Sequence, residues 1–311
     1  MPMIDSPASP IVPKLEGLHL FHFDGAPCAQ RVRFALGEKG LARGREARFD
    51  ADSAIANRSE PGRWTSRIVS LVRKDHMTPA YALIHPDLVV PALVHDGRLY
   101  LESLDIIEYL DDTFGGAPLL PREGDLRQRT LDLANEARAL HVSLRYVTFR
   151  WGLGWLAKLN SGEQQKLREL VATGADKENL ASFYDGFSND RIPDAVFEDH
   201  LQRLLAAFTR IDRSLQQGQA FLTGTTLTLA DAFWAMKVLR LRECGYPFGE
   251  LHPAVSEWYG RMYARPSFKN EVMGRNHLTN RLFTVKASIE RALGIGLDPA
   301  LRALIRSRST G

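Results

Sequence analysis

Two observations predict the fold class of this chain: a small mixed α/β domain followed by an all-helical one. Every strand signal lies before residue 115, where short apolar runs alternate with turn residues and helix-length patterns. From Leu126 onward the hydrophobic spacing is helical and hairpin signals vanish. The length of 311 residues suits about two domains.

The elements follow in order. Met1 to Pro13 holds four prolines and neither a basic cluster nor an apolar core. Residues 1–16 therefore read as a disordered arm, not as a signal peptide. Leu18 to Phe23 is a short aromatic and aliphatic run, a strand. Cys28 to Glu38 has helical spacing at Val32, Ala35 and Leu36, and Gly40 stands where such a helix stops. Arg45 to Asp50 suits a second strand. Residues 51–86 form a long, mostly polar insertion with a helix expected around Trp64 to Val72. A connection of that length is functional or mobile. Pro91 to His95, then Asp96-Gly97, then Arg98 to Leu101 is a hairpin, because both positions of a type I′ turn need positive φ. Ser103 to Phe114 reads as a helix with Ser103 as N-cap. These elements fill a first domain, 17–114.

Residues 115–125, rich in Gly and Pro, are the linker. A helical domain spans 126–272. Leu126 to Trp155 reads as one long helix, with further helices at Glu163 to Val171 and Asp199 to Leu215. Thr228-Leu229-Ala230-Asp231 opens another with a shortened capping box. Pro253 to Arg265 makes the last. The tail, 273–311, carries Leu282, Val285, Ile289, Leu293 and Ile295 among basic residues, and either docks on the body or lies on a membrane surface.

Composition excludes several classes. A net charge of +3 is too small to argue for nucleic acid, and no nucleic-acid motif is present. No apolar run approaches the roughly 18 residues of a membrane span. Two cysteines, Cys28 and Cys244, make no disulfide framework and suit a reducing cytoplasm. His19, His22, His76, His85 and His95 lack metal-ligand spacing. Asp111-Asp112 reads as a solvated helix end, and Cys244 as structural.

Cys28 is the candidate catalytic residue. Pro27 suits the first helical position and Ala26 the N-cap, so the thiol falls in the first helical turn. Unpaired N–H groups and the helix dipole there favour a thiolate, and Arg31 adds positive charge one turn on. A small buried apolar residue is the plainer reading of the same cysteine.

Strand, helix-start cysteine, Val89-Val90-Pro91 before a hairpin, Glu102-Ser103 after it, and the capped helix at Thr228 to Asp231 together resemble the glutathione transferase superfamily over roughly Gly17 to Val272. The resemblance implies a thioredoxin-like glutathione-binding first domain and an all-helical acceptor domain. It implies a cis Pro91, a backbone pairing of Val90 with the cysteinyl part of glutathione, and a γ-glutamyl site at Glu102 and Ser103. A helix N-terminus with a hydroxyl suits that carboxylate. Arg73 and Lys74 are further candidates for a glutathione carboxylate, or are merely solvated.

Within the superfamily, Thr228 to Phe268 looks most like the glutathione-dependent reductive dehalogenases of chlorinated hydroquinones. Their Ser-x-Cys pattern differs here, with Ala26 at the serine position. Pro27-x-Ala29-Gln30-Arg31 is similar to the omega and lambda thiol transferases, whose cysteine stands where Ala26 does. The implied partners are glutathione as co-substrate and a small electrophilic aromatic acceptor, in a cytoplasmic homodimer. Tyr146, Phe149, Trp151 and Trp155 are candidates to line an acceptor pocket between the domains, with Arg145 or Arg150 for a phenolate. Aromatic stripes at this spacing also pack as plain helix core. The resemblance leaves three functions open: monothiol reductive chemistry at Cys28, conjugation or ether cleavage without it, and a non-catalytic binding protein.

Overall fold

The computed structural model describes residues 3–4, 6–152, 154–172, 179–275 and 277–309. The chain forms two compact units, the first from Met1–Leu119, Lys158–Asp190 and Asn270–Val272, the second from Leu120–Ala157, Arg191–Lys269 and Met273–Gly311.

The first unit is built on a six-stranded sheet. Its elements run β1 (Met3–Ile4), β2 (Leu18–His22), α1 (Pro27–Glu38), β3 (Ala42–Arg48), β4 (Arg63–Ile68), α2 (Pro79–Ala82), β5 (Ala92–His95), β6 (Arg98–Leu101) and α3 (Ser103–Thr113). The strand order is β1-β6-β5-β2-β4-β3. β2 runs parallel to β4, and β4 to β3, while β5 and β6 are antiparallel to their neighbours. Asp96 and Gly97 both have positive φ, 48° and 75°, as the hairpin requires.

Three expectations for this unit are corrected. Residues 11–15 are not part of a free arm: Ile11, Val12 and Leu15 are buried in the sheet core, and Met3 and Ile4 pair with β6. Proline-rich composition hid three apolar anchors. Trp64 to Val72 is not a helix, because its first half is the interior strand β4. There Thr65, Ser66 and Arg67 are buried although polar. Arg67 is satisfied by donating to the carbonyls of Phe49, Ala51 and Ala56 and to Asn57 Oδ1 at 2.8–3.2 Å, which organises the loop between β3 and β4. Asp111 is no solvated helix end. Its carboxylate meets Lys39 Nζ at 2.5 Å with both side chains buried, and accepts from the Leu119 N–H.

Two further helices, α6 (Ser161–Val171) and α7 (Leu180–Ser188), belong to the first unit although the chain order places them in the helical half. Leu159 and Leu167 pack on Met77 of the long insertion and on Leu88 just after it. Asn160 and Glu163 start α6 with a complete capping box.

Buried histidines give this unit an acid sensitivity. His19 accepts from Arg67 Nε through Nδ1 at 3.3 Å while Nε2 faces the Glu16 carbonyl at 2.9 Å, which suits only the neutral ring. Burial first, then Arg67, brings its pKa down to about 4. Burial, then Lys74, brings His76 down to about 4. Both folded values lie below the unfolded value, so their stability is complete above about pH 6.5 and is lost as pH falls towards 4. The expected loss is up to about 3 kcal/mol per histidine. Thermal melts between pH 7 and 4 check it, and a His76→Asn variant should flatten the slope.

The second unit comprises α4 (Gly124–Ala139), α5 (His141–Trp151), α8 (Asp194–Leu215), α9 (Leu229–Glu243), α10 (Phe248–Leu251), α11 (Pro253–Ala264), α12 (His277–Ala292) and α13 (Leu297–Ser309). The single helix expected from Leu126 to Trp155 is broken at Leu140, and nothing in the local sequence explains the break. The core is aromatic. Phe208 meets Trp234 edge-on at 5.4 Å, and the Trp234 indole donates to the Leu133 carbonyl at 3.0 Å. The expected apolar stripe of the tail does not dock: Leu282, Val285, Ile289, Leu293 and Ile295 are all exposed.

Candidate active site

The register of the first unit gathers three chain segments at one end of the sheet. Phe21 pairs with Ala92, and Ala92 with Leu101. The exit of β2 towards α1, the entry to β5 and the exit of β6 are therefore neighbours. These segments carry Cys28, Val90-Pro91 and Glu102-Ser103.

Cys28 is the second residue of α1, after Pro27, and Ala26 is the extended N-cap with no side-chain bond to the helix start. The thiol is half-buried. Arg31, one turn on, is 5% exposed. Its Nη2 donates to Cys28 Sγ at 3.1 Å and its Nε to Ser103 Oγ at 2.9 Å. One rigid guanidinium thus joins the thiol to the start of α3. Ser103 is the first residue of α3 and Glu102 its N-cap, one residue from the expected assignment. Since Ser103 Oγ accepts from Arg31, the hydroxyl proton is directed elsewhere, which suits an incoming carboxylate. Glu102 has φ 66° and ψ 124°. A side-chain-bearing residue in that region costs about 1–3 kcal/mol and typically persists where function requires it.

The Val90–Pro91 bond is cis. The segment before it is held by Tyr81, a fully buried residue whose hydroxyl donates to the Val89 carbonyl at 2.7 Å. Burial raises the pKa of that phenol, keeping it a donor. Sequence reasoning missed Tyr81, which lies in the insertion without a recognisable pattern. Arg73 turns to its own loop. Its Nη2 lies 3.2 Å from the Asp75 carboxylate, which also accepts from the Ser70 N–H at 2.9 Å. Lys74, at φ 61°, starts the following 3-10 turn.

The candidate acceptor residues lie in the second unit. Tyr146 stacks on His200 at 4.1 Å, and Trp151 meets Phe197 edge-on at 6.4 Å. Arg150 pairs with Asp194 at 2.8 Å and covers Phe197. These three side chains pack α5 against α8. Phe149 and Arg145 are half-buried, and Trp155, in the turn after α5, is 64% exposed. Cys244 is buried, and burial pushes its thiol up to about 12. Among the described residues no group of His, Cys, Asp and Glu is placed to hold a metal, and no helix is long and apolar enough to cross a membrane.

A mixed sheet with a cis proline and a helix-start thiol, joined to a helical unit, defines a thioredoxin-like two-domain protein. Residues 20–118 match the glutathione S-transferase N-terminal domain, and residues 194–261 the glutathione S-transferase C-terminal domain. The probable maleylacetoacetate isomerase of Vibrio cholerae serotype O1 is 32% identical over 173 residues, which cover 50% of this chain and 70% of that protein. The 2,5-dichlorohydroquinone reductive dechlorinase of Sphingobium indicum is 26% identical over 294 residues, 82% of each protein. Among solved structures, the beta-etherase LigF from Sphingobium sp. strain SYK-6 shares the fold, with a TM-score of 0.67 at 20% identity, over 82% of this chain and 98% of that one. The chain belongs to the glutathione S-transferase family. It is an enzyme of that family, and glutathione is the family's co-substrate.

Proposed function

We propose that this enzyme removes a substituent from an electrophilic aromatic compound, with a halogenated phenol or hydroquinone the favoured class, and that Cys28 completes the reaction. The single observation that carries the reading is the Arg31 guanidinium between Cys28 Sγ and Ser103 Oγ. It places a cation against the sulfur and ties that sulfur to the end of the sheet where Val90, Glu102 and Ser103 would anchor glutathione. The likeness to the dechlorinase supports the substrate class.

The steps balance. Glutathione thiolate attacks the ring carbon and the halide leaves, giving an aryl thioether. The Cys28 thiolate attacks the glutathionyl sulfur. The carbon–sulfur bond breaks, its electron pair goes to the ring, and the ring takes a proton. Cys28 now holds a mixed disulfide. A second glutathione thiolate attacks it, releasing glutathione disulfide and restoring the Cys28 thiolate. Two glutathiones are oxidised and the aryl halide is reduced, with halide and a proton as by-products. One accessible cysteine is enough for such exchange.

Intact-mass measurement after exposure to glutathione disulfide tests this directly. The expected result is one glutathionyl adduct, mapped to Cys28 and removed by excess glutathione. Cys244, buried and with its thiol pKa raised, stays unmodified. No adduct at Cys28 would leave conjugation or ether cleavage without a cysteine.

A further inference from the structure

The apolar stripe of α12 faces away from the protein. Leu282, Val285 and Ile289 follow one another at successive turns, and Leu293 and Ile295 continue the line just past the end of the helix. They are 68%, 50%, 55%, 67% and 54% exposed. The ridge from Leu282 to Leu293 is about 16 Å long. Thirteen large apolar side chains are exposed among the described residues, and the other eight are dispersed singly along the chain. Single exposed apolar residues are ordinary, whereas a continuous ridge marks a surface that meets something else.

Two contacts within the helical unit fix which way α12 faces. Lys286 Nζ donates to the Trp151 carbonyl at 2.9 Å and meets the Glu290 carboxylate at 2.6 Å. Ala287, on the side away from the stripe, lies against Gly245, where a Cβ would stand 3.2 Å from the Ala287 methyl. A helix that docks to complete a core turns its apolar stripe inward. α12 is held instead through a lysine and an alanine, so its stripe is left for an occupant outside this chain.

Charge selects the occupant. Residues 277–311 hold six Lys and Arg against two Asp and Glu, a net charge of +4, while residues 1–276 hold 34 against 35, a net charge of −1. The positive charge of the chain is therefore concentrated around the stripe. Both acids of the segment are already neutralised. Glu290 is taken by Lys286, and Asp298, 5% exposed, by Arg291 at 2.9 Å and Arg302 at 2.7 Å. Arg281, Arg291, Arg302 and Arg306 are exposed. An apolar ridge among exposed cations suits a lipid surface with anionic headgroups. The aliphatic side chains sink past the headgroups and the guanidinium groups meet the phosphates. A second copy of the chain would instead bring the same excess of cations against itself, with both acids of the segment already bound. We propose that α12 is an interfacial helix, which seats this protein on the surface of an anionic bilayer without spanning it.

The test is cosedimentation of the full chain with sucrose-loaded vesicles, one set equimolar in phosphatidylcholine and phosphatidylserine, the other of phosphatidylcholine alone. The protein is expected to bind the first set at least about tenfold more tightly than the second, and to be released as salt is raised. A double variant, Leu282→Ser with Ile289→Ser, should bind at least about tenfold more weakly. It should melt at the wild-type temperature, since both side chains are already exposed. Arg281→Gln should weaken binding about fivefold, the share of one charge near the surface. Val72→Ser, at a side chain 73% exposed in the first unit, should change nothing. Sedimentation velocity without lipid should show wild type and double variant as the same species. The proposal is overturned by equal binding to both vesicle sets, by no binding to the anionic set, or by full binding of the double variant. A lowered melting temperature of the double variant would overturn it by showing that the stripe packs within the protein. A wild-type oligomer that the double variant dissociates would overturn it by giving the stripe to a second copy.

Discussion

A Cys28→Ala enzyme is expected to bind glutathione within a few-fold of wild type and to stop at the aryl thioether. The anchors assigned to glutathione are Val90, Glu102 and Ser103, none of which depends on the sulfur for its position. Val90 follows the Val89 carbonyl that Tyr81 holds, and Ser103 is held by Arg31 and by α3 itself. The lost step is nucleophilic attack on the glutathionyl sulfur, for which no second thiol substitutes: Cys244 is buried with its pKa pushed up to about 12. Release of the reduced arene should fall on the order of 10³-fold or more. The thioether should accumulate and be seen by chromatography with mass detection. Arg31→Met separates the nucleophile from its surroundings. It keeps the thiol but removes the cation 3.1 Å from it, and should slow both iodoacetamide capture of Cys28 at pH 7 and arene release on the order of 10²-fold. Unchanged arene release by Cys28→Ala would remove the cysteine from the mechanism.

How much of this was legible in the sequence depends on the range of each interaction. Cys28 and Arg31 are three residues apart on one helix face, so their contact follows from local geometry. The Asp96-Gly97 turn and the Thr228–Asp231 helix start were readable for the same reason. The Arg31–Ser103 bond spans 72 residues of chain. Only the register β2–β5–β6 brings its ends together, and periodicity carries no information on register between distant strands. β4 was misread because it buries Thr65, Ser66 and Arg67 across both of its faces, and the burial of Arg67 depends on carbonyls supplied by the loop after β3. The positive φ of Glu102 has no local signature, since glutamate is an unfavourable residue for it. Tyr81 acts through what surrounds it in space. The tail was read by its apolar stripe, and the structure places the other face of α12 inward.

Asp231→Ala should be the most destabilising single substitution in the helical unit. The carboxylate is fully buried. Oδ1 accepts from the Leu222 N–H and the Trp258 indole N–H, both at 2.9 Å. Oδ2 accepts from the Thr228 N–H at 2.8 Å and the Thr228 hydroxyl at 3.1 Å. One side chain thereby fixes the turn before α9, the start of α9, and the face of α11. Burial pushes its pKa up, and the four donors pull against that shift. Alanine leaves three N–H groups buried without acceptors, at about 1–3 kcal/mol each, and opens a void beside Trp258. A net loss of about 3–5 kcal/mol is expected after local relaxation. That is a large share of a typical domain's stability, so the alanine variant could fail to accumulate. Asp231→Asn then carries the test. It keeps one acceptor oxygen and turns an NH₂ group towards donors, for a loss of about 2 kcal/mol. Urea midpoints followed by tryptophan fluorescence would report both losses. An alanine variant within about 1 kcal/mol of wild type would mean that water replaces the carboxylate and that α9 and α11 are held by their aromatic core alone.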